Sequence, residues 1–168
     1  MKKPSLLLRH EGGFTFVELV VVVAIAAILI GVGYSGFSGT LERQRCQAAI
    51  KRVQWLVKQA QMQSIEKNTS CAVVADSGTD RVRVFIDPEK DLTIGANDTL
   101  IESVNIAQEY KGVEIRNGCA FRFNNRGIPK GNLPRIAINN AEASWEDGNV
   151  TVSSVGRINV QMPEGWNY

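Results

Sequence analysis

The residues best suited to chemistry in this sequence are three cysteines and one histidine. Cys46, Cys71 and Cys119 lie far apart and form no CxxC pair, and His10 is the only histidine among 168 residues. A zinc site needs about four clustered Cys or His ligands, so no such site is indicated. The acidic residues gather in loop-like segments such as 87–91, and no nucleophile stands beside a base. We therefore expect no catalytic site and no metal site.

The net charge of the chain originates at its N-terminus. The formal charge is +2, and within the first 13 residues Lys2, Lys3 and Arg9 outnumber Glu11. The rest of the chain carries equal numbers of basic and acidic side chains. A protein that binds nucleic acid through its overall charge is therefore not indicated.

A long apolar segment follows these charges. Between residues 14 and 41 the only charged side chain is Glu18, and a helix of about 20 apolar residues is enough to cross a bilayer. The segment is therefore predicted to be a membrane anchor. Gly12 and Gly13 precede it, whereas a secretory signal peptide carries its cleavage site after the apolar run. Cleavage at these glycines would leave the anchor on the mature protein.

Glu18 needs a physical explanation within this apolar segment. A carboxylate inside a membrane helix costs about 2.5 kcal/mol or more, so such a residue usually has a partner. The alternative is a carboxylate near the membrane interface that has no role. Basic residues flank both ends of the segment, so charge alone leaves its orientation open.

The pattern GFTFVEL at residues 13–19 resembles the leader region of type IV pilins and type II secretion pseudopilins. The resemblance implies that a prepilin peptidase cuts between Gly13 and Phe14 on the cytoplasmic face and methylates the amino group of Phe14. It also implies that Glu18, then the fifth residue, pairs with the amino terminus of a neighbouring subunit in the filament.

The same resemblance implies a location and a division of the chain. The protein would be a single-pass protein of the bacterial inner membrane with its head in the periplasm. Its parts would be a leader peptide at 1–13, a transmembrane and filament-core helix at 14–39, and a pilin-like head at 40–168.

The helix is predicted to be weakest just after the apolar segment. Glycines stand at 31, 33, 36 and 39, and each costs a helix about 1 kcal/mol relative to alanine. We expect the helix to bend or melt there, with close helix packing through small residues as the alternative. It should resume over about 40–65 as an amphipathic helix. Its dry stripe, with steps of three and four residues, consists of Cys46, Ile50, Val53, Val57 and Ala60.

Beyond residue 68 the pattern changes to short alternating or β-branched runs separated by turn signals, which predicts strands. The predicted strands are 71–75, 81–87, 99–104, 113–116, 119–124, 135–139, 149–154 and 157–162. A helix followed by strands predicts an α+β fold, in which the second half of the helix packs on a β-rich head of antiparallel strands.

Two segments of the head resemble the GspH/FimT family of minor pilins and pseudopilins: FRFNNRGIPKGN at 121–132 and VTVSSVGRINV at 150–160. The resemblance implies a minor subunit of a type IV pilus or a type II secretion pseudopilus. Such a subunit would join other minor subunits and the major pilin near the filament tip, help to initiate assembly and need no cofactor.

DNA binding is the alternative function. Some FimT-type pilins bind DNA through a C-terminal Gly-Arg-x-Arg stretch, and this chain has Gly156-Arg157-Ile158-Asn159, which lacks the second arginine. No Asp or Glu occurs between residues 115 and 141, a region with five basic residues. Such a patch can hold phosphates, although a basic face is more often solvated or in contact with an acidic neighbour. The candidate DNA contacts are Arg122, Arg126, Lys130 and Arg157.

The cysteines permit one disulfide if the head is periplasmic. Cys71 and Cys119 both fall at the start of a predicted strand in the head, so this pair is the expected bridge, with three buried free cysteines as the alternative. Cys46 belongs to the dry stripe of the helix and is predicted to be a core residue.

Overall fold

Helix α1 is the longest element of the protein. In the computed structural model, which describes residues 14–131, 133–141, 146–164 and 166, with backbone alone at 32–38, α1 spans Phe16–Glu66. Its backbone is helical throughout 31–39, so the predicted melting of this stretch is wrong. The reason is that a glycine weakens a helix but keeps its N–H donor, whereas a proline removes it. The sequence has no proline between residues 5 and 87.

The chain divides into two compact units, Met1–Gly39 and Thr40–Tyr168. In the part of the chain that the structure describes, no helix meets the combined length and hydropathy expected of a membrane-crossing segment.

Within the second unit, α1 contributes a buried stripe to the core. All five residues predicted for the dry stripe have no solvent-exposed surface, which confirms that prediction. Ala49, Leu56 and Ser64 extend the stripe and are also fully buried. Burial of a Val, Leu or Ile side chain contributes about 1.5–3 kcal/mol, so this face fixes α1 to the rest of the head.

Two antiparallel sheets complete the head. One has the strand order β3-β2-β1-β5-β6 and the other β4-β7-β8-β9, and every neighbouring pair is antiparallel. The elements are β1 (Cys71–Asp76), β2 (Arg81–Ile86), β3 (Thr99–Asn105), α2 (Ile106–Glu109), β4 (Val113–Asn117), β5 (Ala120–Phe123), β6 (Pro129–Lys130), β7 (Arg135–Asn140), β8 (Gly148–Val152) and β9 (Ile158–Gln161). All eight predicted strands are present, which confirms the α+β fold; α2 and the short edge strand β6 were not predicted.

The core lies between the helix stripe and one face of each sheet. Phe121 and Phe123, two residues apart on β5, both lie in the core. Their rings meet edge to face, with the ring centroids 5.5 Å apart. Ile136 and Ile138 contribute from the second sheet in the same alternating way. This period of two is what a strand with one face on the core requires.

At Gly148 the second sheet passes close to helix α1. A Cβ added at this position would overlap the Cδ1 atom of Ile50. A side chain at 148 would therefore require Ile50 or the strand to shift.

Gly148→Ala should lower the free energy of unfolding by about 1–3 kcal/mol, because overpacking a filled core forces side chains or backbone to shift. Gly78→Ala is the matched control, since its Cβ would make only an ordinary contact at 3.4 Å. Urea titrations of the two variants measure the difference. Adding Ile50→Val, which removes the Cδ1 atom, should recover part of the loss, and a Gly148→Ala protein as stable as the parent would contradict this packing.

Candidate functional site

Glu18 and Thr15 form a reciprocal cap at the start of helix α1. The Oε2 atom of Glu18 accepts hydrogen bonds from the backbone N–H of Thr15 (3.0 Å) and from its hydroxyl (3.1 Å). The Thr15 hydroxyl oxygen in turn accepts from the backbone N–H of Glu18 (3.2 Å). This is the capping box of the pattern Thr-x-x-Glu, which is present in the sequence but was not among the predicted features.

The residues of the predicted cleavage site flank this cap. Phe14 is exposed, with 86% of its surface open, and directly precedes Thr15. Gly13 and the rest of the predicted leader lie outside the described residues. The predicted roles of these residues in processing and methylation stay predictions.

The predicted Cys71–Cys119 disulfide is wrong in this structure, where all three cysteines are free thiols. Strand β1 pairs with β5 so that Cys71 lies opposite Phe123, while the carbonyl of Cys119 accepts from the N–H of Ala75. The two cysteines therefore lie four residues apart along the pair, about 13 Å at 3.3 Å per residue. A disulfide needs Cα atoms closer than about 7 Å.

Burial keeps the three thiols protonated. It raises the pKa of Cys46 and of Cys119 to about 11 and that of Cys71 to about 12. Nearby carboxylates add to the effect of burial, Asp147 for Cys46 and Asp87 for Cys71. Since the thiolate is the reactive form, these cysteines are structural.

Two hairpin turns of the head share one geometry. In the β5–β6 turn the N–H of Gly127 donates to the carbonyl of Asn124 (2.9 Å), and in the β8–β9 turn the N–H of Gly156 donates to the carbonyl of Ser153 (2.9 Å). Both glycines have positive φ, +72° and +85°. A Cβ at 156 would lie 2.6 Å from the carbonyl oxygen of Gly127, so the two turns are in close contact.

Gln61 of helix α1 joins these two turns. Its Nε2 atom donates to the carbonyl of Gly127 and to the carbonyl of Gly156, each at 2.8 Å. Both glycines are buried, and an unmet buried carbonyl costs about 1–3 kcal/mol. Sequence reasoning missed Gln61 because nothing in a single helical glutamine indicates partners 66 and 95 residues away.

The structure separates the four candidate DNA contacts into two places. Arg126 and Arg157 are exposed and adjoin the two glycines that Gln61 joins, so their turns lie side by side. Arg122 and Lys130 lie opposite each other on β5 and β6 and line a cavity. The basic residues of the run between 115 and 141 are therefore divided, and Arg126 is joined by Arg157 from outside the run.

Two further basic residues of the run are engaged elsewhere. Arg116 pairs with Glu114 on the same strand at 2.7 Å. Arg135 donates through Nε to the side-chain oxygen of Asn149 at 2.8 Å. These two residues are therefore held by neighbours in the second sheet.

Comparison with known proteins gives a match at the N-terminus and a match in the fold. The prokaryotic N-terminal methylation motif matches residues 8–34. The fold is similar to that of the type IV minor pilin FimU of Pseudomonas aeruginosa, with a TM-score of 0.54 at 12% identity, over 72% of this chain and 91% of that one. The fold of the chain is therefore pilin-like.

A second solved structure with a similar fold is a protein of a secretion system. The minor pseudopilin EpsH from the type 2 secretion system of Vibrio cholerae has a TM-score of 0.54 at 13% identity, over 72% of this pilin-like chain and 98% of its own. No curated protein sequence matches the chain. The predicted pilin-like fold is thus confirmed.

The three thiols of the pilin-like head should all be free yet slow to react. At pH 8 a thiol with a pKa of about 11 is only about one-thousandth thiolate, which is the form that iodoacetamide alkylates. Intact-mass measurement without reductant should show almost no alkylation of the native protein and three alkylated cysteines in urea. The same urea experiment after reduction is the control, and any cysteine labelled only after reduction would contradict the free-thiol structure.

Proposed function

We propose that this chain is a minor pilin or pseudopilin, a structural subunit and not an enzyme. A prepilin peptidase cleaves it after Gly13 and methylates Phe14, and the apolar segment anchors it in the inner membrane with the head in the periplasm. It then enters a type IV pilus or a type II secretion pseudopilus beside other minor subunits and the major pilin, near the tip, where assembly begins. The methylation motif on 8–34, followed by a pilin-like head, is the observation that carries this proposal.

The capping box suggests how Glu18 serves two partners. Both hydrogen bonds from Thr15 end on its Oε2 atom, which leaves the Oε1 atom for a second donor. A carboxylate has about four acceptor positions, so the methylated amino terminus of a neighbouring subunit can bind while the helix cap remains formed. Neutralising the charge in this way lowers the cost of a carboxylate in apolar surroundings.

This mechanism separates the charge of Glu18 from its capping role. Glu18→Gln keeps a side-chain oxygen that can accept from Thr15, because Glu and Gln both complete a capping box, but it removes the charge. We expect Glu18→Gln and Glu18→Ala to remain in the membrane fraction and to fall at least about tenfold in sheared filaments. Loss of one charge-assisted hydrogen bond, worth about 1.5–3 kcal/mol, corresponds to such a change.

Thr15→Ala is the matched control, since it removes the hydroxyl of the cap and leaves the carboxylate in place. It should enter filaments at nearly the level of the unmodified chain. N-terminal sequencing of the membrane form should give a methylated Phe14 for every variant, so that a processing defect is not mistaken for an assembly defect. Normal incorporation of Glu18→Gln would refute charge pairing, while failure of Thr15→Ala alone would assign Glu18 to capping only.

DNA binding is the second candidate function, favoured by the adjacency of the two arginine-bearing turns. The contact between Gly127 and Gly156 brings together Arg126 and Arg157, which are far apart in the sequence. Two exposed cations beside each other can bind consecutive phosphates of a strand. The second arginine of the Gly-Arg-x-Arg pattern, which this chain lacks, would thereby be replaced by Arg126 from another hairpin.

The double variant Arg126→Gln, Arg157→Gln tests this function. The binding of duplex DNA is measured for the full chain in non-ionic detergent at several salt concentrations. The slope of the logarithm of the binding constant against the logarithm of the salt concentration should become less steep by about 0.9 for each phosphate that the variant no longer neutralises. Lys58→Gln with Lys111→Gln removes the same charge at exposed positions elsewhere and is the matched control. Equal effects of the two double variants, or no retention of DNA at low salt, would exclude specific binding of phosphates by these turns.

A further inference from the structure

The first sheet borders a cavity that the proposed function does not use. Its volume is about 440 Å³, which lies within the range of about 300–1,000 Å³ that is usual for small-molecule sites. Three segments meet there: the turn between α1 and β1, the loop that follows β2, and the β5–β6 hairpin. The lining residues are Asn68, Thr69, Ser70, Pro88, Lys90, Arg122, Asn124, Asn125 and Lys130.

The charge of this lining has one sign. Lys90, Arg122 and Lys130 are basic, and none of the nine lining residues is acidic. None of these three cations forms an ion pair with another described residue. In the described part of the chain, the cavity therefore presents three positive charges that no carboxylate contacts.

The strand register forces two of these cations together. Arg122 lies directly opposite Lys130 in the β5–β6 pair and opposite Ala72 in the β1–β5 pair. Residues directly opposite on antiparallel strands share a face with Cβ atoms about 4.5–5.5 Å apart, and like charges in this position are destabilising. An anion between the two side chains removes this repulsion.

The third cation comes from a loop that is held in place. The buried carboxylate of Asp87 accepts hydrogen bonds from the backbone N–H groups of Lys90, Asp91 and Leu92. Lys90 and Leu92 both have positive φ, +66° and +64°, a conformation that non-glycine residues keep only where their surroundings impose it. The position of Lys90 is therefore set by the fold before any ligand arrives.

Arg122 connects this loop to the sheet. Its Nη1 atom donates to the carbonyl oxygen of Lys90 at 2.7 Å. This bond uses one of the five N–H donors of a guanidinium group, so further donors remain for a bidentate contact with a phosphate or carboxylate. The bond also holds the guanidinium group beside the backbone of Lys90.

The rest of the cavity lining is neutral and mostly polar. The Nδ2 atom of Asn125 donates to the side-chain oxygen of Asn68 at 2.9 Å, which ties the hairpin to the turn after α1. Thr69 and Asn124 add a hydroxyl and an amide to the lining. Amide and hydroxyl side chains form hydrogen bonds with the hydroxyls of a ligand, so this lining favours a hydroxylated ligand over an apolar one.

We propose that this cavity binds a small anion of the phosphate or carboxylate class carried on a hydroxylated scaffold, such as a sugar phosphate or a sugar acid. The anionic group lies between Arg122, Lys130 and Lys90, and the hydroxyls face the amide and hydroxyl wall. This arrangement involves neither filament assembly nor the side chains of Arg126 and Arg157.

Isothermal titration calorimetry of the full chain in non-ionic detergent at low salt tests the site. The probes are glucose 6-phosphate, glucuronate and inorganic phosphate, with uncharged glucose as the control ligand. We expect saturable one-to-one binding of at least one charged probe and none of glucose. Preference for glucose 6-phosphate or for glucuronate then identifies the anionic group.

Substitutions locate the binding. Arg122→Gln and Lys130→Gln should each weaken it by about tenfold, the effect of removing one charge-assisted hydrogen bond. Lys111→Gln, exposed and outside the cavity, removes the same charge and should leave binding unchanged. Lys130 is exposed, so its substitution keeps the test valid if Arg122→Gln disturbs the fold, which thermal unfolding of each variant shows.

Three results would overturn the proposal. The first is no saturable binding of any charged probe to the folded chain. The second is binding that Lys130→Gln and Lys111→Gln weaken equally, which reflects general charge. The third is retention of DNA that requires Lys130 while no small probe binds, which would assign the cavity to nucleic acid.

Discussion

The burial of one face of helix α1 is the constraint on which the head depends. Residues such as Ile50, Val53 and Val57 have no exposed surface, and both sheets contribute side chains to the core that covers them. Strand β8 passes so close to Ile50 that a Cβ at 148 would overlap its Cδ1 atom, so direct contact limits how closely the second sheet can approach the helix. The hydrogen bonds of Gln61 add a polar connection between helix α1 and one hairpin turn of each sheet.

Much of this fold could be predicted from periodicity, because burial on one face leaves a period in the sequence. Steps of three and four identified the helix stripe, and alternating or β-branched runs between turn signals identified eight strands. What periodicity does not contain is which strands pair and in which direction. Cys71 and Cys119 both stand at strand starts, but β1 and β5 are antiparallel neighbours, so their starts lie at opposite ends of the pair. The disulfide prediction failed for that reason.

The candidate sites were predictable to different degrees. The leader motif is a local pattern, so it was enough to indicate Phe14 and Glu18 as candidates. The cap formed by Thr15 could have been predicted from the same residues. The basic run of the head indicated charge but not arrangement. Lys90 joins Arg122 from 32 residues away, and Arg157 joins Arg126 only because Gly127 and Gly156 touch. Contacts at such separation depend on the tertiary fold and leave no local pattern.

The short strand β6 has a consequence for how two copies of the head can meet. It forms one edge of the first sheet and consists of Pro129 and Lys130 alone. Proline has no N–H to offer, and a lysine on an edge disfavours the approach of another strand. That border of the sheet is thus protected against further β-pairing, so two identical heads can meet there without joining their sheets into an aggregate.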